Sequence, residues 1–204
     1  MKAIDFSIDE FWHWFQSHLS DFEALINPDA PFWDVAVSQL KRLNNRLWFE
    51  LSHPNGGTRE FVITAEGHQE AFPIIDAIIA SAPVIPGWTF IALKPPMGFD
   101  FENNYEGVRF DASTMWFLPL ENVSRPQDLG IRVGVPNFAP DTKRQAENAV
   151  LVILDTSLGE RAAATDIQYV EVSPLPDSPD AHGYLPLPKL PSYISSWRKK
   201  NSEA

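Results

Sequence analysis

Apolar residues recur at spacings of three and four in the first part of the chain, where Trp12, Phe15, Leu19, Phe22 and Ile26 fall on one helical face. Ser7-Ile8-Asp9-Glu10, just ahead, has the form of a capping box: the serine hydroxyl accepts from the amide three residues on, and the glutamate reaches back. Asn27-Pro28 stops this run, and Pro31 opens a second helix with Trp33, Ala36, Val37, Leu40 and Leu43 on its apolar side. Residues 1–45 therefore read as a helical hairpin.

From Arg46 the period falls to two. Leu47–Leu51 and Arg59–Thr64 flank Asn55-Gly56-Gly57, residues that tolerate positive φ and so mark a hairpin turn. Phe72, Ile75, Ile78, Ile79 and Ala82 share the face of a helix that begins near Pro73, and Trp88–Leu93 is a strand enclosed by Pro and Gly breaks. The second half repeats the order. Tyr105–Phe110 and Met115–Leu120 form a strand pair, and Ile131–Val135 adds a strand. Asp141 caps a long helix bearing Ala146, Ala149, Val150, Ile153 and Leu154, and Ile167–Val172 alternates as a strand.

The pattern predicts an α+β fold in one compact domain, 1–204. The helical hairpin is followed by two strand-strand-helix-strand units (46–97 and 98–173), built as antiparallel sheet with helices on one face. Six prolines between Pro174 and Pro191 predict an extended, polyproline-like tail (174–204) that wraps the surface before a short helix around Tyr193–Trp197.

One further pattern runs through both halves: Phe61–Gly67, Phe72-Pro73, Ala82-Pro83, Gly87-Trp88 and Phe90, then Leu154-Asp155 and Leu158-Gly159-Glu160. Over residues 45–195 the chain resembles uncharacterised bacterial domain families with ferredoxin-like α+β units. The resemblance implies a fold and carries over no catalytic residue. By analogy with acidic proteins of this general shape, it implies a protein regulator or an immunity-like inhibitor.

Composition narrows the chemistry. The chain has 204 residues, 44% of them apolar, and no cysteine, which excludes thiolate catalysis, zinc–thiolate sites and iron–sulfur clusters. Asp and Glu number 27 against 16 Lys and Arg, a net charge of −11 that argues against a nucleic-acid partner. Arg198-Lys199-Lys200 reads as a solubilising tail. No apolar run approaches the roughly 20 residues of a membrane span. Met1–Phe6 lacks the basic and apolar regions of a leader, so the expected location is a bacterial cytoplasm. There is neither a Walker loop nor a Gly-x-Ser-x-Gly elbow.

The densest candidate chemistry is Glu66-Gly67-His68-Gln69-Glu70, at a strand-to-helix junction. Two carboxylates and an imidazole there suit acid–base work or a metal, while the same residues equally suit helix capping. His13 and His18 are five apart, off ligand spacing, and His53 and His182 sit in turns. Glu160 reads as a buried anchor, paired with Arg161 or Arg132, or as a site residue.

Asp100, Glu102, Glu106, Asp111 and Glu121 face a single Arg109, which describes a solvated acidic face or a docking surface for a basic partner. The regular calcium loop is missing. Trp12, Trp33, Trp48, Trp88 and Trp116 read as packing residues, whereas Trp14, off that stripe, forms with Phe11 a patch suited to binding or to a homodimer through the N-terminal helix.

The leading expectation is a non-enzymatic module that binds a basic protein through Asp100, Glu102, Glu106, Asp111 and Trp14, with no cofactor, metal, nucleic acid or membrane. The alternative is a hydrolase or metal-dependent enzyme using Glu66, His68 and Glu70, with Glu160.

Overall fold

The capping box at the start of the chain forms as its residues predict. Glu10 N donates to Ser7 Oγ at 3.2 Å, and Ser7 N donates back to Glu10 Oε2 at 2.7 Å. The computed structural model describes residues 6–202; Met1–Asp5, on which most of the leader reading rests, lie outside them. The segments expected as one domain group two by two, into compact units Met1–Lys94 and Pro95–Ala204. The helices pack with the first strand unit and the proline-rich segment packs with the second, so the expected boundary after residue 97 falls after Lys94.

The first unit runs α1 (Ile8–Ser17), α2 (Leu19–Ala24), α3 (Pro31–Leu43), β1 (Trp48–Leu51), β2 (Arg59–Thr64), α4 (Phe72–Ala80) and β3 (Trp88–Ala92). The first predicted helix is two. His18 leaves the helical region (φ −117°, ψ 20°), which resets the phase: Leu25 is buried and Ile26 is 72% exposed, the reverse of the predicted stripe. The Asn55–Thr58 turn closes with reciprocal backbone bonds of 2.9 and 3.0 Å, and Gly56 and Gly57 both have positive φ.

The strand order is β1-β2-β3, with β1–β2 antiparallel and β2–β3 parallel across α4. A wholly antiparallel sheet is therefore not what forms, because the helix between β2 and β3 carries the chain back to the same end. Phe49 and Phe61 stack at 5.0 Å, and Phe61 meets Phe15 and Phe22 edge-on. Trp12 Nε1 donates to Ile78 O at 3.0 Å, so the buried indole leaves no donor unpaired. Trp48, expected in the core, is 37% exposed and lies under Lys41 Nζ, 3.5 Å from the ring centre.

Arg59 fastens the helices to this sheet. Its buried guanidinium donates to Ser52 O (2.9 Å), to Glu23 O (3.1 Å) and to Phe22 O and Leu25 O. Three of these four carbonyls belong to the end of α2, where helical partners have run out. Burial holds this guanidinium below the ordinary arginine range, offset by the nearby Glu23 carboxylate.

The second unit runs β4 (Glu102–Tyr105), β5 (Val108–Asp111), β6 (Trp116–Leu120), β7 (Gly130–Val135), α5 (Lys143–Leu158), α6 (Glu160–Asp166), β8 (Tyr169–Pro174), β9 (Leu185–Pro186) and α7 (Leu190–Ser202). The expected strand Tyr105–Phe110 is instead a hairpin: Glu106 (φ 49°) and Gly107 (φ 83°) make a two-residue turn of the kind that matches strand twist. The strand pair that precedes the long helix is thus β6–β7. Sheet order is β8-β7-β6-β9, with β7–β8 parallel and β6 antiparallel to both β7 and β9. Both units therefore follow the expected strand-strand-helix-strand order, as an antiparallel pair and then a helical crossover to a third strand that is parallel.

Asp141 does not cap α5; it sits in a 3₁₀ turn, Pro140–Thr142, that leads into the helix. Gly159 (φ 79°) ends α5 and lets α6 begin at the next residue. The proline-rich segment runs over the surface as far as Gly183, and its second part, from Tyr184, enters the core. Leu187, Leu190 and Ile194 are buried with Phe117, Val133 and Ile153, because β9 pairs with β6 and α7 follows at once. Arg198 Nε donates to the buried Asp166 at 3.0 Å and so ties α7 to the end of α6.

Replacing Arg59 with Met removes the donors of Glu23 O and Leu25 O and leaves Phe22 O with Leu25 N alone. The expected loss is about 2–4 kcal/mol in the urea unfolding free energy of the full chain, and an unchanged midpoint would contradict the role given to this guanidinium. The capping box has a pH signature: hydrogen bonds from Ser7 N, then Ser7 Oγ, lower the Glu10 pKa. Its stabilisation is therefore full above the ordinary glutamate range and is lost as pH falls through the lowered value. The difference in urea midpoint between the native chain and Glu10→Gln is expected at neutral pH and should shrink on acidification below about pH 4.

Candidate functional site

The middle strand of the second sheet divides its residues by side. Ile131, Val133 and Val135 point into the core beneath α5 and α7, while Gly130, Arg132 and Gly134 occupy the alternate positions. Register extends this division across three strands in rows: Leu120–Gly130–Tyr169, Leu118–Arg132–Glu171 and Trp116–Gly134–Ser173. These nine residues form the sheet face turned away from the helices.

At one end the face is covered by its own chain. A methyl group on Gly134 would lie 2.8 Å from Leu175 Cδ1 and 3.2 Å from Tyr184 Cε1, so this glycine is the floor on which Leu175 and Tyr184 rest. In the middle row, Arg132 and Glu171 pair across neighbouring strands, with Nε–Oε1 at 3.0 Å and Nη2 donating to Oε2 at 3.1 Å. The Glu171 hydrogen bond raises the Arg132 pKa against the opposing effect of burial, and Tyr184 adds to the rise. Ser173 Oγ and Tyr184 OH lie 3.4 Å apart beside this pair, and with His182 they line a hollow of about 440 Å³.

At the other end Gly130 is itself buried, and a methyl group there would lie 3.3 Å from Leu120 Cβ and 3.6 Å from Tyr169 Cβ of the flanking strands. A hollow of about 390 Å³ lies here between Leu120, Tyr169 and Val123. Tyr169 is 58% exposed and Val123 95% exposed. A second hollow of about 300 Å³, with Tyr193 and Trp197 among its lining residues, shares Leu120 and Val123 with the first. Burial raises the Tyr193 pKa, with the Glu121 carboxylate adding to the rise. The charged groups at the rim are partly neutralised, since Arg125 Nε pairs with Asp128 at 2.8 Å.

The residues singled out from sequence have other settings. Glu66 (φ 51°) and Gly67 (φ 82°) make the turn after β2, and Glu66 is exposed. His68 Nδ1 lies 3.4 Å from Glu70 Oε1, and Arg46 approaches both, at 3.7 Å from Glu70 and 3.4 Å from His68. His68 and Glu70 thus meet in an ion-pair cluster open to solvent. Glu160 is fully buried, but in the second unit, at the first turn of α6, and Arg132, one of its two expected partners, is taken by Glu171. Among the described residues no group of three or more His, Asp or Glu side chains is placed to hold a metal ion.

The acidic hairpin is largely self-satisfied. Arg109 pairs with Glu102, Arg144 approaches Glu106 at 3.8 Å, and Asp111 accepts from Ser113 N at 2.9 Å and Ser113 Oγ at 2.6 Å. Asp100 is exposed. Nor does the negative charge concentrate there: twelve acidic residues stand against six basic in the first unit and fifteen against ten in the second. The exposed pair expected at Trp14 does not form. Phe11 is fully buried, and Trp14 is half-buried between His18, Phe22 and Phe32 at 4.8–6.0 Å.

Tyr169, Val123 and Gly130 escaped the sequence reading. The available signal was the alternation Gly-Ile-Arg-Val-Gly-Val, which gives one side of a strand its bulk and leaves the other thin. Compared with protein-family models, curated proteins and solved structures, the chain matches none. No helix among the described residues is long and apolar enough to cross a membrane.

The two glycines of β7 should respond differently to the same change. Gly134→Ala forces Leu175 and Tyr184 off the sheet, with an expected loss of about 1–3 kcal/mol in urea unfolding. Gly130→Ala brings a methyl group to 3.3 Å from Leu120 Cβ, a tight approach without overlap, and its expected loss is smaller, under about 1 kcal/mol. Equal losses at both positions would mean that the two glycines are equally closely packed.

Proposed function

We propose that this chain is a non-enzymatic protein-binding module whose partner docks on the open end of the second sheet, against Leu120, Val123 and Tyr169. The observation that carries the reading is a pair of exposed side chains, Val123 and Tyr169, that line one hollow with the half-buried Leu120, beside Gly130 and four residues along β7 from Gly134, where Leu175 and Tyr184 pack on the face. Exposed apolar surface of this kind, rimmed by polar groups, favours association with another protein.

The charge of −11 enters as steering. Spread over both units, it accelerates encounter with a basic partner, while the apolar contact supplies residence time. This moves the docking residues away from the acidic hairpin, whose carboxylates are mostly occupied, and keeps the expected sign of the partner's charge. A regulator or inhibitor is the role that fits such a module.

Capture from native lysate with the tagged chain tests the reading. Tyr169→Ser and Val123→Asp are each expected to reduce the specifically captured protein roughly tenfold, as loss of a central contact does. Glu102→Gln with Asp111→Asn should leave capture unchanged. The complex is also expected to survive roughly 0.5 M salt, where screening reaches within a few ångströms. Capture lost in salt and indifferent to Tyr169 would assign docking to the acidic hairpin instead.

A further inference from the structure

We infer that the second unit carries a binding site for a small aromatic cation, a phenol-type ring with a protonated amine at its far end. The site lies between the loop after β3, the end of α5 and the turn before α7, and shares no residue with the docking surface proposed above.

A hollow of about 510 Å³ lies there, walled by Phe99, Pro96, Pro188 and Pro191. Its size and mainly apolar lining suit one small molecule. Backbone bonds tie the walls in place. Met97 N and Gly98 N donate to Thr156 O and Ser157 O of α5, at 2.9 and 3.2 Å, and Leu187 N donates to Met115 O at 2.8 Å. The hollow is therefore preformed.

The deciding residue is Ser157. It lines the hollow, is 2% exposed, and its hydroxyl has no hydrogen-bond partner among the described residues. A serine on a helix ordinarily returns its hydroxyl to a carbonyl one turn back, as Ser81, Ser195 and Ser196 do here at 2.9–3.0 Å. Ser157 makes no such bond, and an unpaired buried hydroxyl is costly to the fold. A ligand hydroxyl seated in the hollow supplies the missing partner.

The other polar groups set the sign of the ligand's charge. Asp100 lines the same hollow, is exposed, and holds no ion pair or hydrogen bond among the described residues. No lysine, arginine or histidine is among the lining residues. Donors are scarce as well: prolines have no N–H, Gly98 N is spent on α5, and Ser113 gives its N–H and its hydroxyl to Asp111, at 2.9 and 2.6 Å. A site that offers acceptors and a carboxylate selects a cationic donor, and the net charge of −11 concentrates cations near it. One molecule can reach both ends, since Gly98, bonded to Ser157 O, stands two residues before Asp100, a reach of at most about 7 Å of chain.

The test is a titration of the full-length chain with tyramine, followed by amide NMR. Phenethylamine, which lacks the ring hydroxyl, and 4-hydroxyphenylacetate, which carries a carboxylate in place of the amine, are titrated beside it. Tyramine is expected to give saturable shifts at Gly98, Phe99 and Ser157, with a Kd of about 5 mM or tighter. Phenethylamine should bind about fivefold more weakly, and the carboxylate should not saturate. Ser157→Ala should abolish the preference for tyramine over phenethylamine without lowering the thermal midpoint. Asp100→Asn should weaken tyramine about threefold.

Absence of saturable shifts overturns the inference. So do equal binding of the three compounds, a preference for tyramine that survives Ser157→Ala, and indifference to Asp100→Asn. A lower midpoint in Ser157→Ala would show that the hydroxyl has a partner within the fold, which also overturns it. Shifts at Val123 and Tyr169 in place of Gly98 and Ser157 would put the amine on the docking surface and count equally against this site.

Discussion

Strand β7 places branched side chains toward the helices and two glycines with one arginine toward the other side. A strand cannot fill both faces with such a sequence, because alternate residues point opposite ways. The core gains Ile131, Val133 and Val135 in full, and the opposite face is left one side chain thin at Gly130 and Gly134. What happens at each glycine then depends on what the rest of the chain can bring there. Pro174 ends β8 beside Gly134, so Leu175 folds directly onto it, and the turn before β9 returns Tyr184. At Gly130 the nearest atoms belong to Leu120 and Tyr169 of the flanking strands, and the loop after β6 adds Val123 to the hollow beside them.

Arginines make the joins that hydrophobic burial alone leaves unspecified. Aromatic packing in the first unit tolerates many angles between helix and sheet, since edge-on and stacked pairs lie close in energy. Four carbonyls converging on Arg59 do not. The guanidinium fork has a fixed geometry, and leaving its donors unmet in a buried place is expensive, so α2 must end where the fork can reach it. Arg198 fixes α7 against Asp166 in the same way, and Arg132 with Glu171 sets a rigid polar bar across the open face.

The elements legible from sequence were those whose signal is local. The Ser7 capping box, the Asn55-Gly56-Gly57 turn and the apolar stripe of α5 each depend on a few adjacent residues, and each is found. The break at His18 was not legible, because Leu19 and Phe22 keep helical spacing across it. The turn at Glu106-Gly107 was missed because Tyr105 and Val108 extend the apolar run on either side. Parallel pairing of β2 with β3 and of β7 with β8 is hidden for a different reason: a buried strand shows the same alternation whichever way its neighbour runs. The candidate site is the least local feature of all. Tyr169 reads as an ordinary strand residue, and its exposure beside Val123, which is a property of the whole unit, is not visible in its spacing.

The two units also show how one chain path can serve different ends. Both run an antiparallel pair into a helical crossover and a parallel third strand. In the first, the central strand β2 buries Phe61 and Ile63 on one side and Val62 and Thr64 on the other, so no residue of that strand after Glu60 is available to a partner. In the second, β7 buries large side chains on one side only. Enlarging Gly130 or Gly134 to match β2 would press a side chain against Leu120 in the one case and against Leu175 and Tyr184 in the other, so the thinness of β7 is what lets the chain's own neighbours close over that face.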